Sequence, residues 1–196
     1  MNDQLQDVLF DGEEILWRGK PQKLCYILKS FGRLLPAALI FLAFDVFFIG
    51  IIASTGAFAE MWPFLVFFFA FHLLPVWKCI GKLITANLEY KNVEYAITNR
   101  RIIARTGIIG LDFDGIDYSD ISNVRVDVSI LERIFGTGSL IISSTSGNVS
   151  FFCSIQNPYD VYKKLNKILV DMKADVYYPN AFRPETNPGY NTKYKG

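Results

Sequence analysis

Two long apolar runs in the first half of the chain limit its fold more than any other feature. The first, Leu34–Ser54, reads LLPAALIFLAFDVFFIGIIAS and has about the 20 mostly apolar residues that a helix needs to cross the hydrocarbon of a bilayer. Its one charge, Asp45, costs about 3 kcal/mol near the centre of a span, whereas its Leu, Ile, Phe and Val side chains together return about 4 to 8 kcal/mol. The first run is therefore predicted to span a membrane.

The second run, WPFLVFFFAFHLLPVWKCI, is shorter between charged residues. It becomes long enough to span if Lys78 extends to the headgroups and if Trp62 and Trp77 lie at opposite interfaces of the bilayer. Since only the short segment STGAFAEM joins the two runs, the pattern predicts a transmembrane helical hairpin with spans at about 34–54 and 61–80. The alternative is a buried helical hairpin in a soluble protein.

Basic residues cluster at the outer ends of the two runs, whereas the connection between the runs contains Glu60 and no basic residue. The positive-inside rule therefore predicts that both termini are cytoplasmic. Before the first run these residues are Arg18, Lys20, Lys23, Lys29 and Arg33; at the end of the second run and after it they are Lys78, Lys82 and Lys91. The net charge of the chain is +1, which gives no electrostatic reason to expect nucleic-acid binding.

The sequence lacks the patterns that are typical of catalytic, metal or cofactor sites. The cysteines, Cys25, Cys79 and Cys153, are odd in number and lack C-x-x-C spacing. The single histidine, His72, falls in the second apolar run, so no nucleophile is predicted to have a histidine base beside it. We therefore expect no cofactor, no metal and no enzymatic activity.

After Lys91 the hydrophobic pattern changes from helical to alternating, which indicates short strands. The predicted strands are centred on Val93, Tyr95 and Ile97, on Ile102–Thr106, on Ile116–Ile121, on Val124, Val126 and Val128, and on the closing hairpin of SLIISST and VSFFCSI. Between them, ILERIF indicates a single helical turn. Upstream of the apolar runs, GEEILWRGKP is either a half-buried strand or a membrane-surface segment.

A helix after Pro158 is predicted to cover the strands, because Pro158 suits the first helical position and the apolar residues that follow share one face. These apolar residues are Val161, Leu165, Ile168, Leu169 and Met172. The pattern predicts a small α+β domain, a β-roll with a helical lid. The chain then divides into a cytoplasmic lead-in with a basic juxtamembrane segment, a transmembrane hairpin, a linker, a β-roll domain and an extended tail, at residues 1–33, 34–80, 81–91, 92–175 and 176–196.

Four sequence blocks carry a resemblance to a known family. They are GEEILWRGKP, YAITNRRIIARTGIIG, DISNVRVDVSILERIFGTGSLIISS and IQNPYDVYKKL, and in this order, over about residues 10–170, they resemble the bacterial pleckstrin-homology (PH) family of small membrane proteins. The resemblance implies a PH-like fold, with two roughly orthogonal antiparallel sheets closed at one end by the C-terminal helix, behind a two-span anchor. It also implies a bacterial cytoplasmic (inner) membrane, and it brings no catalytic residue.

Asp45 and His72 are the ionisable residues inside the apolar runs. Asp45 lies about nine residues before the end of the first run and His72 about eleven after the start of the second, so antiparallel spans would place them at similar depth. They could form a polar clasp that holds the hairpin or an oligomer together, they could be part of a proton or ion path, or their placement could be incidental. The clasp is our working hypothesis.

Basic residues near the first β-hairpin are candidates for contact with anionic lipid or an acidic partner, namely Lys91, Arg100, Arg101 and Arg105. Acidic residues nearby favour an ordinary solvated surface instead. Together these features predict a membrane-bound binding or scaffolding module on the cytoplasmic face, which associates with a protein partner or with itself and contacts anionic phospholipid. The alternative is a small oligomeric channel or transport component that uses Asp45 and His72.

Overall fold

The computed structural model describes residues 5–144 and 147–177. The chain divides into two compact units, one formed by Tyr26–Tyr90 and the other by Met1–Cys25 together with Lys91–Gly196. We call the first the helical unit and the second the β-roll unit. The β-roll unit is therefore discontinuous in sequence, and the helical unit is an insertion within it.

The helical unit consists mainly of helices, which are α1 (Lys23–Phe31), α2 (Leu35–Thr55), α3 (Phe58–His72) and α4 (Leu74–Glu89). The first three residues of α1 belong to the β-roll unit. In α2, a proline lies in the first turn, where its missing N–H is not needed. The helix ends at Gly56, whose φ of 74° is readily adopted only by glycine. Among the described residues, α2 is the one helix long and apolar enough by itself to cross a membrane.

The second predicted span is divided at Leu73, where α3 and α4 meet at a bend of 52°. Pro75 explains the break, because a proline inside a helix lacks a hydrogen-bonding N–H and its ring clashes with the carbonyl one turn earlier. Taken together, the two helices are long and apolar enough for one broken span or for a re-entrant loop. The structure thus differs from a single straight span at 61–80, and α4 continues through most of the predicted linker to Glu89.

The β-roll unit contains two antiparallel sheets. The first has the order β1 (Ile15–Gly19), β2 (Glu94–Thr98), β3 (Arg101–Thr106) and β4 (Asp112–Asp117), and the second has the order β5 (Ile121–Asp127), β6 (Thr137–Ser144) and β7 (Gly147–Gln156). This arrangement confirms the predicted α+β fold. It also shows that GEEILWRGKP supplies a strand, since β1 pairs with β2 across the inserted helices.

The core of the β-roll unit lies between the two sheets. Phe152 of β7 packs against Tyr95 of β2 and Trp17 of β1, with ring centroids 5.1 Å and 5.5 Å away. Leu140 and Leu165 are also fully buried. Because each large apolar side chain contributes about 1.5–3 kcal/mol when it leaves water, this interface is the main source of stability in the unit.

The N-terminal segment covers the outer face of the first sheet. Leu5 packs with Ala96 and Ile103, and Leu9 and Phe113 border the same cluster. Consequently β2 is buried along its whole length. The segment before β1, which the sequence analysis assigns to the lead-in, is therefore part of the domain.

Two helices complete the β-roll unit. The short α5 (Ile130–Ile134) connects β5 to β6, and α6 (Pro158–Tyr177) packs against both of these strands. The predicted lid is confirmed, because Val161, Leu165, Ile168 and Leu169 of α6 are all buried. Most of the predicted tail, residues 178–196, lies outside the described residues.

Candidate functional site

The ionisable pair of the helical unit is in direct contact. Nδ1 of His72, at the end of α3, lies 2.7 Å from Oδ1 of Asp45, in the middle of α2. The side chain of Asp45 is 4% exposed and that of His72 is 25% exposed. The two atoms lie within ion-pair distance, although their alignment is not that of a hydrogen bond. The two apolar runs therefore bring together the two residues that the sequence singles out.

Aromatic rings surround the imidazole of His72. The ring centroids of Phe41, Phe44 and Phe68 lie 4.9, 5.1 and 4.8 Å from that of the histidine, and the Phe68 ring is nearly parallel to it. An open groove of about 380 Å³ runs beside them, lined by Phe41, Phe64, Phe67, Phe68, Phe71 and His72. In such apolar surroundings a polar contact is electrostatically stronger than in water, and an unpaired polar group is more costly.

At the turn between β2 and β3, Arg101 is used inside the domain. Its side chain forms an ion pair with the buried carboxylate of Glu13 at 3.0 Å and donates a 2.9 Å hydrogen bond to the carbonyl of Val8. The Thr98 hydroxyl donates to the same carboxylate at 2.8 Å. Arg101 therefore fastens the N-terminal segment to the first sheet, while the neighbouring Arg100 is exposed and packs over the ring of Phe10.

The environment of Glu13 holds its carboxyl group in the charged form. Burial alone would raise the pKa of Glu13, but hydrogen bonds from the Phe10 N–H, Arg101 and Thr98, together with the Arg101 charge, outweigh that effect. The pKa is therefore lowered from its ordinary value of 4.5. No local sequence pattern marks this site, because Glu13 and Arg101 are 88 residues apart.

The side chain of Arg105 also makes its polar contacts within the β-roll unit. It forms an ion pair with Glu94 at 2.9 Å and donates a 2.9 Å hydrogen bond to the carbonyl of Asn92. Lys91 is exposed. Glu94 is opposite Arg105 in the register of β2 and β3, so Arg105 lies about 15 Å along the strands from Arg100, which is in the turn at the other end of this strand pair. The predicted basic residues thus do not form one patch, and two of the four are neutralised internally.

A buried polar network that the sequence interpretation missed lies around Glu132 of α5. Its carboxylate accepts hydrogen bonds from the Ser129 N–H at 2.9 Å, from the Ser129 hydroxyl at 2.8 Å and, through a short contact, from the Ser139 hydroxyl. Ser129 and Glu132 form a capping box, in which each side chain meets the other's backbone N–H. The S-x-x-E spacing in the sequence could have revealed the box.

The same network extends to the start of α1. The Ser139 hydroxyl accepts a 3.1 Å hydrogen bond from the Ser154 N–H, and the carbonyl of Ser154, at a positive φ of 51°, accepts a 2.8 Å bond from the Gln22 N–H. The Thr137 hydroxyl contacts Sγ of the fully buried Cys25 at 3.3 Å. These contacts hold the segment that enters α1 against the second sheet.

Within residues 5–144 and 147–177, no three His, Cys, Asp or Glu side chains lie close enough together to hold a metal ion. Cys25, Cys79 and Cys153 form no disulfide bond with one another. The clusters of charged and polar side chains described above are the Asp45–His72 pair, the Glu13–Arg101 pair, the Arg105–Glu94 pair and the Glu132 network. Of these four, only the Asp45–His72 pair lies in the helical unit.

Two antiparallel sheets of four and three strands, with a C-terminal helix packed on the second, define a PH-like domain. The sequence matches the Bacterial PH domain family over residues 31–168, which is well over half of the chain. This protein belongs to the Bacterial PH domain family.

The other comparisons are less informative. No curated protein matches the chain. One matching solved structure is the crystal structure of a DUF1696 family protein with a pleckstrin-homology domain from Shewanella loihica PV-4, with 11% sequence identity and a TM-score of 0.30. The match covers 39% of this chain and 71% of that one. The assignment to the family rests on the sequence match and on the strands and helices of this chain.

Proposed function

We propose that this protein is a membrane-anchored binding module, in which the helical unit holds the PH-like domain at the cytoplasmic face of a bacterial inner membrane. The observation that carries the proposal is the exposed apolar surface of α2. The helix has 21 residues, or about 32 Å at 1.5 Å per residue, which matches a hydrocarbon core of about 30 Å. Only 17% of its apolar window is buried, so lipid is the natural cover for the rest.

In this proposal α3 and α4 form a broken second span, with the bend at Leu73 within or near the membrane. Lys78 and Lys82 of α4 and Lys91 after it then lie towards the cytoplasmic side, as do the basic residues of α1. Both ends of the helical unit return to the same face, which agrees with a β-roll unit built from the chain on both sides of it. Lys91, which is exposed, is the candidate for contact with anionic headgroups.

The activity we propose for the PH-like domain is association with a protein, or with a second copy of this chain, rather than catalysis. β4 is the outer strand of the first sheet, and an outer strand presents backbone N–H and C=O groups to which another strand can be added. Asp112, Asp114 and Asp117 are exposed on it. These charges disfavour indiscriminate edge pairing and favour a partner with basic residues.

Two measurements on the full chain test the proposal. Alkaline carbonate washing of membranes should leave the protein in the pellet, and its release into the supernatant would refute the anchor. A photo-crosslinking residue at Asp114 should yield a discrete protein adduct in native membranes, whereas the same residue at the fully buried Phe152 should yield none. Absence of any adduct at Asp114, in a protein that stays in the membrane, would refute association through β4 while leaving the anchor intact.

A second candidate function, a small oligomeric transport component, is favoured by the contact of Asp45 with His72. A carboxylate that is 4% exposed in the middle of an apolar helix is typical of proton or ion paths as well as of structural contacts. Proteoliposomes made with the full chain distinguish the two roles. Ion flux that is lost in Asp45→Asn would favour transport, and equal, background-level flux in both proteins would exclude it.

A further inference from the structure

The loop between β3 and β4, residues 107–111, lies at the end of the first sheet where the chain leaves for the helical unit and returns from it. In the register of the sheet, Gly19 at the end of β1 is opposite Tyr95, Glu94 at the start of β2 is opposite Arg105, and Thr106 is opposite Asp112. Both connections to the inserted helices and the β3–β4 loop therefore share one end of the sheet. The Arg100 turn lies at the other end.

This loop projects two adjacent isoleucines away from the domain. Ile109 is fully exposed, at 101%, and Ile108 is 44% exposed. Gly107 has a φ of 123°, and a Cβ there would collide with the carbonyl oxygen of Gly110, so the backbone closes tightly below the two side chains. Large aliphatic side chains at a loop tip are costly in water unless something apolar covers them.

Hydrogen bonds fix the base of the loop to the residue that follows the helical unit. The Asn92 amide donates to the carbonyl of Gly107 at 3.0 Å, and Arg105 donates to the carbonyl of Asn92 at 2.9 Å. Asn92 is three residues beyond Glu89, the last residue of α4. At most about 3.6 Å of chain separates successive residues, so the Cα of Asn92 lies within roughly 11 Å of that of Glu89, and the base of the loop is hydrogen-bonded to the side chain of Asn92.

The apolar surface of α4 continues to that end. Ile80, Ile84 and Leu88 recur at helical spacing and are all exposed in the helical unit. If the helical unit is embedded as proposed, this stripe brings the bilayer interface to within four residues of Asn92. The chain connection and the hydrogen bonds at Asn92 then leave the β3–β4 loop little distance from the same interface.

We infer that Ile108 and Ile109 form a second membrane contact of the PH-like domain, inserted at the boundary between headgroups and acyl chains. The inference rests on the proposed membrane anchor and adds to it a second point of contact with the bilayer. The lipid bilayer is the surface that covers the two isoleucines, because the chain connects this end of the sheet to the apolar helix α4 within a few residues. Recognition here is by apolar insertion and requires no particular headgroup.

Lipid quenching in nanodiscs tests the inference on the full chain. In a background in which Cys25, Cys79 and Cys153 are replaced by alanine, single cysteines carry an environment-sensitive fluorophore. They are introduced by Phe47→Cys on the exposed side of α2, by Ile109→Cys, and by Ser119→Cys in the exposed turn that follows β4. The nanodiscs contain phosphatidylethanolamine and phosphatidylglycerol, with or without lipids that carry a nitroxide high on the acyl chain.

We expect nitroxide lipid to reduce the emission at positions 47 and 109 and to leave position 119 unchanged. Quenching at 47 but not at 109 would overturn the loop contact while retaining the anchor. Quenching at none of the three would overturn the anchor and the loop contact together. Equal quenching at 109 and 119 would show that the domain lies on the membrane without using this tip, which also overturns the inference.

A second measurement avoids the replaced cysteines in case that background fails to fold. A photo-crosslinking residue at position 109 of the native-cysteine chain, in the same nanodiscs without nitroxide, should give an adduct with the mass of one phospholipid. The same residue at position 119 should give none. A protein adduct at 109, or no lipid adduct there, would identify the tip as something other than a membrane contact.

Discussion

Replacing Asp45 and replacing His72 should lower the free energy of unfolding by unequal amounts, although both changes break the same contact. The change His72→Phe keeps an aromatic ring among the neighbouring phenylalanines, but it leaves a carboxylate that is only 4% exposed without its counter-group. The change Asp45→Leu leaves an imidazole that is 25% exposed and still packed between rings. The first change therefore leaves the more deeply buried polar group unpaired.

The magnitudes follow from burial. Removing one member of a buried pair costs about 3–5 kcal/mol when the other cannot reach water. Polar contacts between membrane helices are themselves worth about 0.6 kcal/mol on average, with a maximum near 1.7. We expect His72→Phe to lower the free energy of unfolding by about 3 kcal/mol, Asp45→Leu by about 1, and the double variant by about 1, which gives a coupling energy of roughly 3 kcal/mol.

The measurement is unfolding of the full chain in mixed micelles, with helicity followed as the fraction of denaturing detergent rises. Phe47→Leu, on the exposed side of α2, is the matched control and should change the free energy of unfolding by less than about 0.5 kcal/mol. Equal losses from both single variants, or a double variant whose loss is the sum of the two, would refute the clasp.

Other predictions concern the β-roll unit, each measured as a free energy of unfolding. Glu132→Ala removes the carboxylate that accepts hydrogen bonds from Ser129, Ser139 and Ser154, and it should cost about 3–5 kcal/mol. Ser129→Ala, which removes mainly the cap, should cost about 1 kcal/mol, and equal losses from the two variants would contradict the network. Because the pKa of Glu13 is lowered on folding, the stabilisation by its carboxylate should be complete above about pH 4.5 and should fade as the pH falls through the lowered pKa. The free energies of unfolding of the parent and of Glu13→Gln should therefore converge in acid. A difference that stays constant with pH would contradict this prediction. Gly138→Ala should cost about 1–3 kcal/mol, because the new Cβ would lie 2.8 Å from Cγ of Pro158, and an unchanged stability would show that Pro158 moves away freely.

Periodicity was sufficient to predict most elements of the β-roll unit, because an alternating pattern is a direct consequence of a strand with one buried face. It was insufficient for β4, which begins at Asp112 although only Ile116 onwards was predicted as a strand. An outer strand exposed on much of both faces has no such pattern. The N-terminal segment was missed for a related reason, since Leu5 and Leu9 gain meaning only from the sheet face that they cover.

Some of the sites have a local signature in the sequence, whereas others are formed by residues that are far apart in the sequence. The break at Leu73 and the capping box of Ser129 and Glu132 have local signatures, in Pro75 and in the S-x-x-E spacing. The pairing of Arg101 with Glu13 depends on the register of strands far apart in sequence, which a pattern of residue types does not specify. For that reason the distribution of charge in the sequence overestimated how many basic residues are available for contact with lipid.

The insertion of the helices between β1 and β2 sets an order of assembly during synthesis. β2 begins 75 residues after β1 ends, so at about 5–20 residues per second the ribosome makes the partner of β1 some 4–15 s later. Until then β1 and the N-terminal segment have no sheet to join. Closing so long a loop in a free chain is entropically costly, but a membrane hairpin whose two ends emerge on one face would bring Gly19 and Glu94 together before the first sheet forms. In the proposed arrangement, insertion into the bilayer precedes folding of the domain and acts as its nucleating step.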